Sequence, residues 1–448
     1  MRPATAVTVL LLAWSVLAFA SPYPWAYWPL GVGCVTVFVL GWLRRPEGVT
    51  SVGPWPWVAL AVGLVQLIPV PRQVFLLVSP GARRFADGTA FNVGNWTFLS
   101  LTPTATIEAI AWSGCLLLLI VGLRWTCDER QARQLSSAIA VLAVGVAILG
   151  LNQRNDGLLY GWWQPKDVAD PFGPFVNRNH FAGWMVLAIA CGIGRFGAIG
   201  ASRHKADGWL GVVKVTASPE GSQRLILGLA LLVMCLSVAA SLSRSGLISC
   251  GGVLIVATFA WLRRDSRLSK VSVLAGVGYV TGATVVALLV MWVSGDALAS
   301  RLSSPQQSLQ SRLEIWSAAT ATFREFPLIG SGLGSFGFVN PAYQTTDPSQ
   351  GTYLQAHNDY LQALAEGGIL LCVPLLLVVK RLGCDVLETL RASGPTRSYW
   401  IAAGAAAGLV GIGAQETVEF SLRSPAVAIL FAVCCALATH RLEPESPR

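Results

Sequence analysis

Charge is scarce in this chain: 12% of its 448 residues are Asp, Glu, Lys or Arg, against 54% that are hydrophobic. An ordinary soluble domain carries roughly twice that charged share, so a soluble globular fold is excluded. There is no CxxC pair and no histidine cluster with zinc spacing, which removes the common structural metal sites. No DxD-like acidic pair falls in the segments that read as external, which argues against a nucleotide-sugar donor held through a metal ion. Internal repeats are also lacking. Cys34, Cys115, Cys191, Cys235, Cys250, Cys372, Cys434 and Cys435 lie in apolar runs, and Cys127 and Cys384 in connections that read as cytoplasmic. With no cysteine outside, no exported disulfide framework is expected.

What is present is a succession of apolar stretches near the roughly 20 residues that a helix needs to cross a bilayer. They run over 4–20, 25–43, 54–70, 105–123, 135–151, 180–198, 225–242, 246–262, 272–294, 364–380, 398–414 and 424–440. Their apolar character is continuous rather than alternating, which favours helices over barrel strands. The expected fold is an all-α membrane protein of about 12 transmembrane helices with a large, partly helical external loop. Four regions follow: N-terminal helices over 1–151, central helices over 152–294, the loop over 295–363 and C-terminal helices over 364–448. Segment 4–20 lacks a small-residue cleavage site before SPYPW and is read as the first span rather than a signal peptide.

Cytoplasmic connections keep an excess of Lys and Arg. An internal N-terminus puts roughly 21 of the 32 basic residues on the cytoplasmic side, including Arg44, Arg45, Arg124, Arg130, Arg133, Arg263, Arg264, Arg267 and Lys380. Both termini are then cytoplasmic. The formal charge of +9 is accounted for by topology and anionic lipid headgroups, without a nucleic-acid partner.

The longest outer loops are 71–104, 152–179 and 295–363. Within the last, Leu309, Leu313, Trp316, Ala319 and Phe323 form an i, i+4, i+7, i+10, i+14 stripe that predicts an amphipathic helix over 308–326. The glycines Gly330, Gly332, Gly334 and Gly337 do not have the spacing of a nucleotide loop and follow no strand; they read as a tight turn allowing close approach of backbone or ligand.

Polar groups collect at the outer membrane boundary. Asn177, Arg178, Asn179 and His180 sit in PFGPFVNRNHFAG, Arg244 interrupts an apolar run in SLSRSG, Arg301 and Arg312 lie in the large loop, and His357 and Asn358 begin HNDY. Each also has a plain structural reading: a hairpin marker or headgroup contact for Arg244 and Arg178, solvated loop positions for Arg301 and Arg312, a satisfied histidine for His180 and His357. His357 shares helical spacing with Leu361 and Leu364 and is expected to face the bundle. Glu416, Glu419 and Arg423 read as a structural ion-pair group. Taken together, several guanidinium forks on one face suit a pyrophosphate, and a histidine suits proton transfer from a hydroxyl.

At SLSRSG (241–246), SRLEIWSAATATFREFPLIGSGLGSF (311–336) and HNDYLQALAEGG (357–368) the chain resembles the O-antigen ligase / O-antigen polymerase superfamily of bacterial envelope glycosyltransferases. FVNRNHFAG (175–183) is similar to a subset of its members. The resemblance implies a GT-C-like inner-membrane protein acting in lipopolysaccharide or polysaccharide biosynthesis. It implies a metal-independent, inverting transfer, without a cofactor, from an undecaprenyl-diphosphate-linked glycan to a lipid A-core or polysaccharide acceptor on the periplasmic face. By motif, Arg244 and Arg312 take the diphosphate-binding roles and His357 acts on the acceptor hydroxyl. Arg178, Arg301, Asn177, Asn179, His180 and Asn358 are further candidates for substrate contacts. Roughly 45 residues separate Arg312 from His357, a short loop for the family, so acceptor recognition is expected to differ from that of lipid A-core ligases.

Ligation and polymerisation share this core and stay open as alternatives. A small-anion transporter is a different class of reading; it calls for internal repeats and polar, broken helices at the midplane. A non-catalytic envelope scaffold is a third, and it predicts that Arg244 and His357 tolerate alanine.

Overall fold

The computed structural model describes residues 1–45, 52–85, 95–153, 158–164, 170–200, 218–264, 305–345, 352–394 and 396–440. Over these residues the protein is helical apart from one two-stranded ribbon and isolated bridges. Helices α1 (Pro3–Leu17), α2 (Pro24–Trp42) and α3 (Trp55–Val65) are followed by β1 (Pro69–Pro71), α4 (Arg72–Val78) and β2 (Trp96–Phe98). Then come α5 (Pro103–Thr126), α6 (Glu129–Leu151), α7 (Arg178–Gly200), α8 (Pro219–Ala240) and α9 (Arg244–Arg264). The remainder is α10 (Pro305–Glu325), α11 (Phe336–Val339), α12 (Asp359–Ala392), α13 (Arg397–Gln415) and α14 (Pro425–Ala438).

Among the described residues, six helices are long and apolar enough to cross a membrane: α2, α5, α6, α7, α8 and α12. Every expected apolar segment contains a helix except 272–294, which lies outside the described residues. Helix starts are chemically marked. Proline opens α1, α2, α5, α8 and α14, where its missing N–H has no partner to lose. Asp128 and Gln131 close a capping box on α6.

Helix α7 is the hub. Its residues from Phe181 to Cys191 are buried without interruption, as expected for a helix enclosed on all sides. It packs on α6, α8, α9, α13 and α14. The crossing with α13 needs small residues: a Cβ on Gly404 would lie 2.6 Å from Gly194 Cα and 2.5 Å from the Ala190 carbonyl oxygen. In lipid, where water does not drive helices together, such backbone contact is a main source of association.

Two chain connections expected on the same face pack together. Phe75, Ala82, Phe85, Leu99 and Leu101 from 71–104 form one apolar cluster with Phe326, Ile329 and Val339 from the large loop. The Arg84 to Glu325 ion pair (3.0 Å) and the Tyr343 hydroxyl donating to Glu325 (2.7 Å) close its rim.

Some expectations change. The amphipathic helix exists as α10, but its buried face is Ile315, Ala318, Ala319 and Thr322, while Leu313 is 52% exposed. The face is set by packing along α12, not by the most apolar stripe. The segment expected as a span at 364–380 is part of a longer helix that continues to Ala392, so Cys384 is helical and not in a loop. Its charged second half is retained because Asp385 accepts from Arg124 (2.6 Å) and forms an ion pair with Arg381 (2.8 Å).

Candidate active site

The site is built where α12 begins. Asn358 caps this helix through its side-chain oxygen, which accepts from the Leu361 N–H at 3.0 Å. His357 therefore precedes the helix, with a left-handed φ of 49°, and does not follow the helical spacing to Leu361 and Leu364. Its ring still faces the bundle, edge-on to Phe420 at 4.7 Å, because the cap turns the chain back over the 416–424 connection. The Asp359 N–H donates to the Glu416 carbonyl (3.1 Å) and the Tyr360 hydroxyl to the Gly413 carbonyl (2.7 Å), fastening this start to the end of α13.

Helix α12 is broken at Gly368 (φ 61°, ψ −168°). The break exposes backbone groups that the glycine-rich segment satisfies: Ser331 N–H donates to Ala365 (3.0 Å), Gly332 N–H to Glu366 (3.0 Å) and Ile369 N–H to Pro327 (2.9 Å). Only glycine fits at Gly330, where a Cβ would collide with the Glu366 carbonyl. The glycine run thus serves close backbone approach. Buried Gln66, just beyond α3, locks the arrangement by donating to Ile329 (2.7 Å) and Glu366 (2.8 Å) and accepting from Leu333 N–H (2.9 Å).

Glu419 stands at the centre, 1% exposed. Arg312, a third exposed, reaches its Oε1 at 2.7 Å, and the Ser245 hydroxyl donates to the same oxygen at 3.3 Å. His357 Nδ1 lies 3.9 Å from Oε2, beyond hydrogen-bond distance but within reach of charge. Burial pushes this carboxyl upward, yet His357, Arg312 and His180 together hold it below its usual range. His180 approaches from α7, also edge-on to Phe420, at 4.9 Å.

Arg244 is exposed at the first residue of α9, next to Ser245. Close contact of Gly246 with Ala182 brings this helix start against that of α7. Asn177 Oδ1 accepts from Asn179 N–H (2.8 Å) and orders the entry to α7, while the Asn179 carbonyl accepts from Gln415 (3.1 Å). Arg178 turns to the rim and pairs with Asp170 at 2.8 Å. Arg301 lies outside the described residues.

The expected ion-pair group of Glu416, Glu419 and Arg423 does not form as such. Arg423 pairs with Asp359 (3.0 Å) and Glu366 (3.3 Å), and Glu419 pairs with Arg312. The connection is a turn followed by a short 3-10 segment, so helical spacing does not align the three side chains. Glu416 is pushed up to about 9 by burial and by the neighbouring Asp359 carboxylate, and is protonated at neutral pH. Glu419, Ser245, Phe420 and Gln66 were not singled out as site residues by sequence. The available signal for Glu419 was a carboxylate in a short connection between two apolar helices, a costly place for an unpaired charge.

Chemically, the arrangement presents the Arg312 guanidinium and the imidazoles of His357 and His180 to one buried carboxylate, Glu419. Residues 229–376 match the family model described as O-antigen ligase. A comparison with curated proteins gives no match.

Proposed function

We propose that this protein, whose residues 229–376 match the O-antigen ligase family model, transfers a glycan from undecaprenyl diphosphate to an acceptor hydroxyl on the periplasmic face. The observation that carries this reading is the convergence of Arg312, His357 and Ser245 on Glu419, with Arg244 adjacent to Ser245. Arg312 gives one Nη2 contact to Glu419, and its remaining N–H groups can meet phosphate oxygens. Arg244 supplies a second fork from the start of α9. His357 accepts the proton as the acceptor oxygen bonds to the anomeric carbon from the face opposite the diphosphate. The bond from that carbon to the diphosphate oxygen breaks, the electron pair leaves on the diphosphate, and the two guanidinium groups stabilise its charge. Configuration inverts, and the fixed charges do the work that a divalent ion does elsewhere. Glu419 keeps Arg312 in place between turnovers and faces the imidazolium as it forms.

The test is transfer by the purified protein from undecaprenyl-diphosphate-linked glycan, with EDTA present. Lipid A-core and a growing, carrier-linked polysaccharide are offered as acceptors in separate reactions. Product with EDTA and with lipid A-core identifies a ligase; product only on a growing polysaccharide identifies a polymerase. Full activity of His357→Ala, or a strict need for divalent metal, overturns the mechanism.

A further inference from the structure

The opposite end of the molecule holds a second basic site that the transfer reaction does not use. Arg195 lies 17 positions after Arg178 on α7, about 26 Å along the axis at 1.5 Å per residue. Its Nε donates to the Ser137 hydroxyl at 3.0 Å, and no carboxylate among the described residues forms an ion pair with it. The charges of Arg133 and Arg397 act on it, so like charges are held together in a half-buried place. Arg133 has only a 3.9 Å contact with Glu129, whose other oxygen accepts from Ser398 at 2.8 Å.

Arg133, Ser137 and Arg195 line a cleft of ≈ 710 Å³ between α1, α6 and α7. Arg130, Arg133 and Arg195 stand at its polar end, and Leu12, Val141 and Leu142 continue it as an apolar wall. From Arg130 to Leu142 along α6 the distance is about 18 Å. Val141 is 76% exposed, so the apolar part opens on the flank of the bundle rather than into its core. Gln134, on the same wall, has a buried amide oxygen without a partner among the described residues.

We propose that this cleft binds an anionic glycerophospholipid, phosphatidylglycerol in type, with its phosphate between Arg133 and Arg195. Guanidinium groups left with surplus positive charge in a low-polarity cleft gain from a phosphodiester, and basic pockets between membrane helices suit such headgroups. The glycerol hydroxyls of the headgroup supply a donor for the Gln134 oxygen. The acyl chains follow Val141 and Leu142 along the flank.

Native mass spectrometry of the full-length protein, released from micelles doped with phosphatidylglycerol or with phosphatidylcholine of equal chain length, tests this. Phosphatidylglycerol is expected to be retained preferentially, and Arg133→Gln and Arg195→Gln each to weaken retention roughly fivefold. Arg45→Gln, an exposed basic residue away from the cleft, leaves retention unchanged. If Arg195→Gln does not fold, Arg130→Gln/Arg133→Gln carries the same test without touching α7. Equal retention of the two lipids overturns the proposal, as does unchanged retention in a folded double variant. Displacement of phosphatidylglycerol by inorganic phosphate alone also overturns the lipid assignment, since it makes the cleft a simple anion site.

Discussion

The Arg312 to Glu419 pair offers a test of whether Arg312 serves chemistry or only neutralises a buried charge. Glu419 is 1% exposed and Arg312 32%, with 2.7 Å between Nη2 and Oε1. Removing one partner of a buried pair costs about 3–5 kcal/mol, and the partial exposure of Arg312 places Arg312→Ala near the lower end of that range. In Arg312→Ala/Glu419→Gln the stranded carboxylate is gone, and about 2 kcal/mol should return, measured as coupling in a denaturant double-mutant cycle. If Arg312 stabilises the departing diphosphate, activity does not return with stability. Both variants should transfer glycan about 10²–10³-fold more slowly than wild type. The assay is initial rate with saturating acceptor, each variant first checked for monodispersity and melting temperature. Recovery of near wild-type rate in the double variant would refute the reasoning, since it would leave neutralisation as the only role of Arg312.

Three further outcomes follow from particular contacts. Glu416 is raised from 4.5 to about 9 by burial and Asp359, so the folded state holds a proton that the unfolded state has lost. Stability therefore falls as pH rises from the unfolded value through about 9, and Glu416→Gln should flatten this slope in melting-temperature measurements across the neutral to alkaline range. Gln66→Leu strands the Ile329 carbonyl and the Leu333 N–H, at a cost of roughly 2–6 kcal/mol, and should reduce transfer while leaving the arginines and His357 intact. Gly404→Leu forces α13 away from α7 and should cost about 3 kcal/mol or more, read as loss of folded protein on size exclusion.

Much of the helical layout was legible because hydropathy is a local property. A run from Cys115 to Val121 has no favourable place except in lipid or a core, whatever its neighbours. Proline and capping residues mark the ends of such runs for the same local reason. The motifs around Arg244, Arg312 and His357 were legible as recurring patterns. Their geometry was not, since His357 leaves the helix that its spacing suggested and Asn358 is occupied in capping it.

Glu419 shows where local reading ends. By sequence it belongs with Arg423 four residues on, but the turn after α13 gives those side chains separate partners, brought from α10 and α12. Likewise the glycines of PLIGSGLG and the break at Gly368 are unremarkable singly; they become one structure only when two backbones distant in sequence supply each other's hydrogen bonds. The sequence by itself determined that this is a membrane protein, where most of its helices run and which motifs it carries. Tertiary structure decided which cation meets the buried carboxylate, because that choice depends on desolvation and on distances set by several helices at once.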